Sequence, residues 1–72
     1  MNKAKIEQCE RLCREFLKRE KELYERVNYY QAMDDKHSYS FEFYASGLRE
    51  SGALRRTSME LTRALADLRK AG

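Results

Sequence analysis

Seventy-two residues make at most one domain, and this chain is charge-rich: 38% of it is charged, 42% is hydrophobic, and it carries three glycines and neither proline nor tryptophan. Average domains hold about 25% charged residues, and chains below roughly 70–80 residues rarely bury a core worth more than about 3–5 kcal/mol. That excludes a deep-pocketed monomeric enzyme, a dinucleotide-binding fold and any two-domain arrangement.

The N-terminus, Met-Asn-Lys-Ala-Lys-Ile-Glu-Gln-Cys-Glu, interleaves charges and has none of the apolar run of a secretory signal. No stretch approaches the ~18 apolar residues of a membrane span. The expectation is a cytoplasmic protein with no membrane partner. Two cysteines fall short of a secreted disulfide framework.

The first long helix is expected from about Lys3 to Met33. Ile6, Cys9, Cys13, Phe16, Leu23, Val27 and Tyr30 recur in steps of three and four, with Glu20 in the slot that should be apolar, which makes a heptad seam. Leu12, Leu17 and Tyr24 widen it toward the stripe of a packed bundle helix. The pairs Glu7–Arg11, Glu10–Arg14, Glu15–Arg19 and Glu22–Arg26 place acid before base at four residues, the better orientation, each worth about 0.2–0.5 kcal/mol. They read as a solvated face.

A break is expected over residues 34–40, where Asp and Ser cluster, with Ser38 or Ser40 as the N-cap of the second helix and Glu42 in the first turn near the helix dipole. So short a loop turns the chain back on itself. The second helix is expected from about Phe41 to Lys70. Its stripe reads Tyr44, Gly47, Ser51, Leu54, Ser58, Leu61, Leu65, Leu68, small in the first half and leucine in the second. The small half is expected to face Leu23, Tyr24, Val27 and Tyr30, and the leucine half Ile6, Cys9, Cys13 and Phe16. Gly47 and Gly52 either permit close helix approach or mark a kink, and close approach is the favoured reading.

Phe41, Tyr44 and Leu48 form a second apolar edge, for which a lone pair of helices has no use. The fold class expected is therefore all-α, an antiparallel two-helix hairpin over residues 1–72 that dimerises into a four-helix bundle.

None of the residue patterns weighed for chemistry makes a catalytic or cofactor site. Cys9 and Cys13 share a face, and two such pairs in a dimer offer four thiolates to zinc; free cysteine is more often a small buried hydrophobe, and that is the reading adopted. His37, beside Asp34 and Asp35, has no nucleophile near it and reads as a loop histidine. No catalytic residue, metal or cofactor is expected.

Two surfaces are candidates for partner binding, against the alternatives of an aromatic cluster that seals the end of the bundle and a solvated helix face. Tyr29, Tyr30, Tyr39, Phe41, Phe43 and Tyr44 put six aromatics within sixteen residues. Part of that cluster belongs to the core; Tyr39, Phe41 and Phe43 are the candidate contacts, because tyrosine and arginine dominate interface energetics. Arg49, Arg56, Arg63 and Lys70 recur every seven residues. Of these, Arg49, Arg56 and Arg63 are the candidate contacts to an acidic protein surface, with phosphate neutralisation on a nucleic acid as the alternative.

The stretch Ser51-Gly-Ala-Leu-Arg-Arg-Thr-Ser-Met-Glu-Leu-Thr-Arg-Ala-Leu-Ala-Asp-Leu-Arg-Lys, rich in Arg, Ala and Leu, resembles the small early host-takeover proteins of temperate bacterial phages, including quorum-sensing anti-activators that also block pilus assembly. The resemblance covers about a third of the chain and its short helical format, and it contains no motif that assigns residue roles. It implies a dimeric inhibitor that binds a host transcriptional regulator or motor ATPase.

Overall fold

The computed structural model describes residues 1–34 and 39–70. Described residues form three helices and no strand: α1 (Lys3–Met33), α2 (Phe41–Ala45) and α3 (Arg49–Lys70). The long helix α1 packs along α3, and α2 crosses the end of α1. Two ion pairs fix the register. Lys5 at the start of α1 meets Asp67 near the end of α3 at 3.3 Å, and Arg26 meets Glu50 at 3.8 Å. Both are solvent-facing, so they set alignment more than stability.

Side-chain caps explain the helix starts. The Asn2 side chain accepts the backbone N–H of Ala4 at 2.8 Å, and Ser40 Oγ accepts that of Phe43 at 3.2 Å. Ser38, the other expected cap, lies outside the described residues. Along α1, the pairs Glu10–Arg14 (3.4 Å) and Glu15–Arg19 (3.0 Å) form. The other two expected pairs do not. Glu7 takes Lys3, Glu22 takes Arg19 at 3.2 Å, and Arg26 turns to Glu50 and the Tyr29 and Tyr30 rings. Glu22 and Glu15 together hold the Arg19 guanidinium still more firmly charged than usual.

The single second helix expected over 41–70 is divided. Backbone N–H of Ser46 reaches Glu42, Gly47 adopts φ 81°, and a new helix begins at Arg49. A positive φ costs a side-chain-bearing residue about 1–2 kcal/mol, so Gly47 is the reason the break sits here. Ser51 Oγ fastens the far side by donating to the Ala45 carbonyl at 2.6 Å. The expectation of close helix approach at the glycines is therefore corrected. Gly47 is a turn, and a Cβ added at Gly52 meets nothing within 4 Å. Gly52→Ala should raise stability by about 0.5–1 kcal/mol, and Gly47→Ala should lower it by about 1–2 kcal/mol. Denaturant titration of the two variants checks both signs.

Few of the described residues are buried: Cys9, Leu23 and Val27 from α1, Thr57 and Ala64 from α3, with Val27 alone of them fully enclosed. Leu12 and Phe16 are half-buried on the same side of α1, and Glu20 interrupts them. Cys13, expected on the seam, is exposed. Ile6 and Tyr30, at the ends of the seam, are 44% and 36% exposed.

The stripe on α3 is likewise rotated from the one expected. Its centre is Thr57 and Ala64, and Leu54, Leu61, Leu65 and Leu68 are displaced by about 30–90° to one side and half-buried. Thr57 and Ala64 each share a groove with Leu12 of α1, and the leucines flank that line rather than fill it. Thr57 is tolerated there because its hydroxyl donates to the Ala53 carbonyl at 3.1 Å.

Candidate partner-binding surface

The site is built where α1 ends, α2 crosses and α3 begins. Tyr39 and Phe43 stack at 4.2 Å between ring centroids, with 27° between planes. Tyr44 meets both edge-on, at 6.0 Å from Tyr39 and 5.6 Å from Phe43. Such offset and edge geometries are the favoured ones for aromatic pairs. Tyr39 stays 42% exposed and Phe43 57%, so the stack is presented to solvent rather than sealed inside.

Beside the stack lies an open, mainly apolar groove of about 680 Å³, lined by Tyr30, Met33, Asp34, Phe43, Tyr44 and Leu48 among others. The turn at Gly47 separates α2 from α3, and Leu48, just before α3 begins, lines the groove together with the end of α1. One polar contact is set into the wall. Tyr44 Oη donates to Asp34 Oδ2 at 3.0 Å. Partial desolvation and that carboxylate raise the Tyr44 pKa above its ordinary 10. A raised pKa in the folded state means the contact's contribution is present below pH 10 and is lost as pH climbs through the folded value.

The second apolar edge expected from Phe41, Tyr44 and Leu48 is not one edge. Phe41 is half-buried against Tyr24, 4.9 Å between rings, on the opposite side of α1 from the groove. Tyr44 and Leu48 line the groove. Of the expected aromatic contacts, the structure thus brings Tyr39 and Phe43 together at the tip and places Phe41 apart. Met33 was missing from the expectation, while Tyr30 and Leu48, expected on the seam and on a second apolar edge, line the groove with it. Its signal in the sequence is Gly47, expected to permit close helix approach or to mark a kink, and found at a left-handed turn.

Arg49, Arg56 and Arg63 are exposed in a row on one side of α3. Each lines a shallow polar groove shared with α1. Arg49 is near Arg19 and Glu22, Arg56 near Glu15 and Glu60, and Arg63 near Gln8 and Asp67. None of the three has a carboxylate within 4.0 Å among the described residues. Acids nonetheless alternate with arginines along the whole row, so its field is mixed rather than uniformly positive. The row and the aromatic stack are separate surfaces joined at the α2–α3 turn.

His37 lies outside the described residues, as do Asp35 and Lys36. Cys9 is buried and Cys13 exposed, both free, and among the described residues no group of three or more His, Cys, Asp or Glu is placed to hold a metal ion. No described helix is long and apolar enough to cross a membrane. Comparison with known proteins adds no relative to this geometry: no protein-family model, curated protein or solved structure matches the chain.

Proposed function

We propose that the chain is a non-enzymatic protein-binding module. In this reading it is an antiparallel two-helix hairpin that pairs with a second copy into a four-helix bundle and acts in the cytoplasm as an inhibitor. It occludes a host protein, with a transcriptional regulator or a motor ATPase as the class of target that the resemblance of its second half to phage early proteins implies. The observation that carries the binding role is the Tyr39–Phe43 stack, exposed beside an apolar groove. Exposed aromatic pairs next to a preformed groove are the anchors from which protein interfaces draw most of their energy. Arg49, Arg56 and Arg63, with no carboxylate within 4.0 Å of them, supply charges to pair with an acidic rim on the partner.

The nucleic-acid reading uses the same arginines and is weaker on this geometry. A phosphate track gains from a uniformly basic stripe, whereas Glu15, Glu22, Glu60 and Asp67 alternate with these arginines.

A tagged pull-down from nuclease-treated bacterial lysate at two salt concentrations separates the two. The inhibitor reading expects one or two proteins retained at both salts. Loss of all bound material after nuclease, with nucleic acid bound before it, would overturn the inhibitor reading in favour of the alternative.

A further inference from the structure

The chain is a rod of 54 × 15 × 14 Å with a radius of gyration of 16.0 Å. A compact domain of this length has about 11 Å. Its accessible surface is 5864 Å², against about 4,700 Å² for a compact monomer of its mass. The excess, roughly 1,200 Å², exceeds the ~800 Å² that each partner of a standard stable interface buries.

Exposed apolar side chains are not evenly spread along the rod. Helical geometry puts the polar grooves on one side of the α1–α3 contact. On the other side lie Ile6, Cys13, Leu17 and Tyr24 of α1 with Leu54 and Leu61 of α3. Ile6, Leu17 and Tyr24 are 44%, 62% and 51% exposed, Cys13 is exposed and the two leucines are half-buried.

The spacing of this row is palindromic. Ile6, Cys13, Leu17 and Tyr24 are separated by seven, four and seven residues, so the row reads the same from either end about Glu15. Leu54 and Leu61 are symmetric about the point between Thr57 and Ser58. Glu15 and Thr57 line one groove, so the two midpoints lie at the same level along the rod. A two-fold axis crossing the rod at that level lays each helix on its own copy, running in opposite directions.

We infer that this face binds a second copy of the chain about that axis. The inference rests on the dimer in the proposed function and specifies its face and register: Ile6 lies against Tyr24 of the second copy, Cys13 against Leu17, and Leu54 against Leu61. The polar grooves and the Arg49–Arg56–Arg63 row stay outside, on both outer surfaces of the bundle.

The register makes a cross-link testable with a thiol already present. In Leu17→Cys, the new thiol faces Cys13 of the second copy twice across the axis. Within one chain the two positions are one helical turn apart, where a regular helix resists the geometry of a disulfide. Mild oxidation of Leu17→Cys is expected to convert most of the chain to a covalent dimer on a non-reducing gel, at least tenfold more than wild type. Glu60→Cys, on the groove side, should remain at the wild-type level.

Light scattering of the unmodified chain at tens of micromolar should give twice 8.6 kDa. A mass of 8.6 kDa would overturn both the dimer and this face. A doubled mass without the Leu17→Cys cross-link, or with Glu60→Cys cross-linking as well, would overturn the register and leave the dimer standing.

Discussion

Leu23→Ala is expected to unfold a large part of the population at 37 °C. Leu23 is 5% exposed and one of only five buried residues among those described. Truncating a buried leucine costs about 2–5 kcal/mol, the lost transfer energy plus the cavity left behind. A chain this short has about 3–5 kcal/mol of core stability to lose. For a domain of 60–100 residues each kcal/mol is worth about 4–8 °C in Tm, so even the low end predicts a fall of roughly 8–16 °C. Arg55→Ala, at an exposed position on α3, should stay within about 0.5 kcal/mol of wild type. Thermal melts followed by circular dichroism at two protein concentrations compare them. Equal Tm for Leu23→Ala and wild type would mean that the α1–α3 contact is not what holds the chain together.

The second large effect concerns binding. Tyr39→Ala and Phe43→Ala each remove one ring of the exposed stack. If these rings are the anchors, each change should weaken partner binding by about 2 kcal/mol or more, at least thirtyfold in Kd. The helical signal should be unchanged, because both residues are more than 40% exposed. Arg56→Ala, at the rim, should cost a few-fold and act mainly through the association rate. Calorimetric titration against the captured partner reads all three. Full affinity in Tyr39→Ala and Phe43→Ala would reduce the aromatic tip to a cap on the end of the helices.

How legible this was in the sequence differs by helix. In α1 the steps of three and four located Cys9, Leu23 and Val27 on the packed side, because large apolar residues there have few alternative positions. The same rule misplaced the contact line on α3. There hydrophobicity points to the leucines, while steric fit points to Thr57 and Ala64, since a bulky α1 face needs small residues opposite it. A one-helix pattern cannot reveal which of two neighbouring stripes the other helix will choose.

Cys13 reflects the same ambiguity: it lies within the apolar pattern but on the side turned toward the leucines. At the tip, the aromatic composition identified Tyr39 and Phe43. The groove between them and α1 was not legible, because it depends on the left-handed turn at Gly47, where glycine also fits a close-approach reading.

That turn has a consequence for how the tip opens. α2 has five residues, too few to persist as a helix by itself in water, and none of them is buried. Among its ties to the rest are the Phe41 ring on Tyr24, the Tyr44–Asp34 hydrogen bond, and the Leu48 N–H and Ser51 hydroxyl on the Ala45 carbonyl. The rod formed by α1 and α3 holds its own contacts on the other side of Gly47. Segments with few buried contacts sit at the low end of local stability, so amide hydrogen exchange is expected to be faster in α2 than in the middle of α1. Equal exchange rates in α2 and in the middle of α1 would mean that the tip opens only with the whole rod.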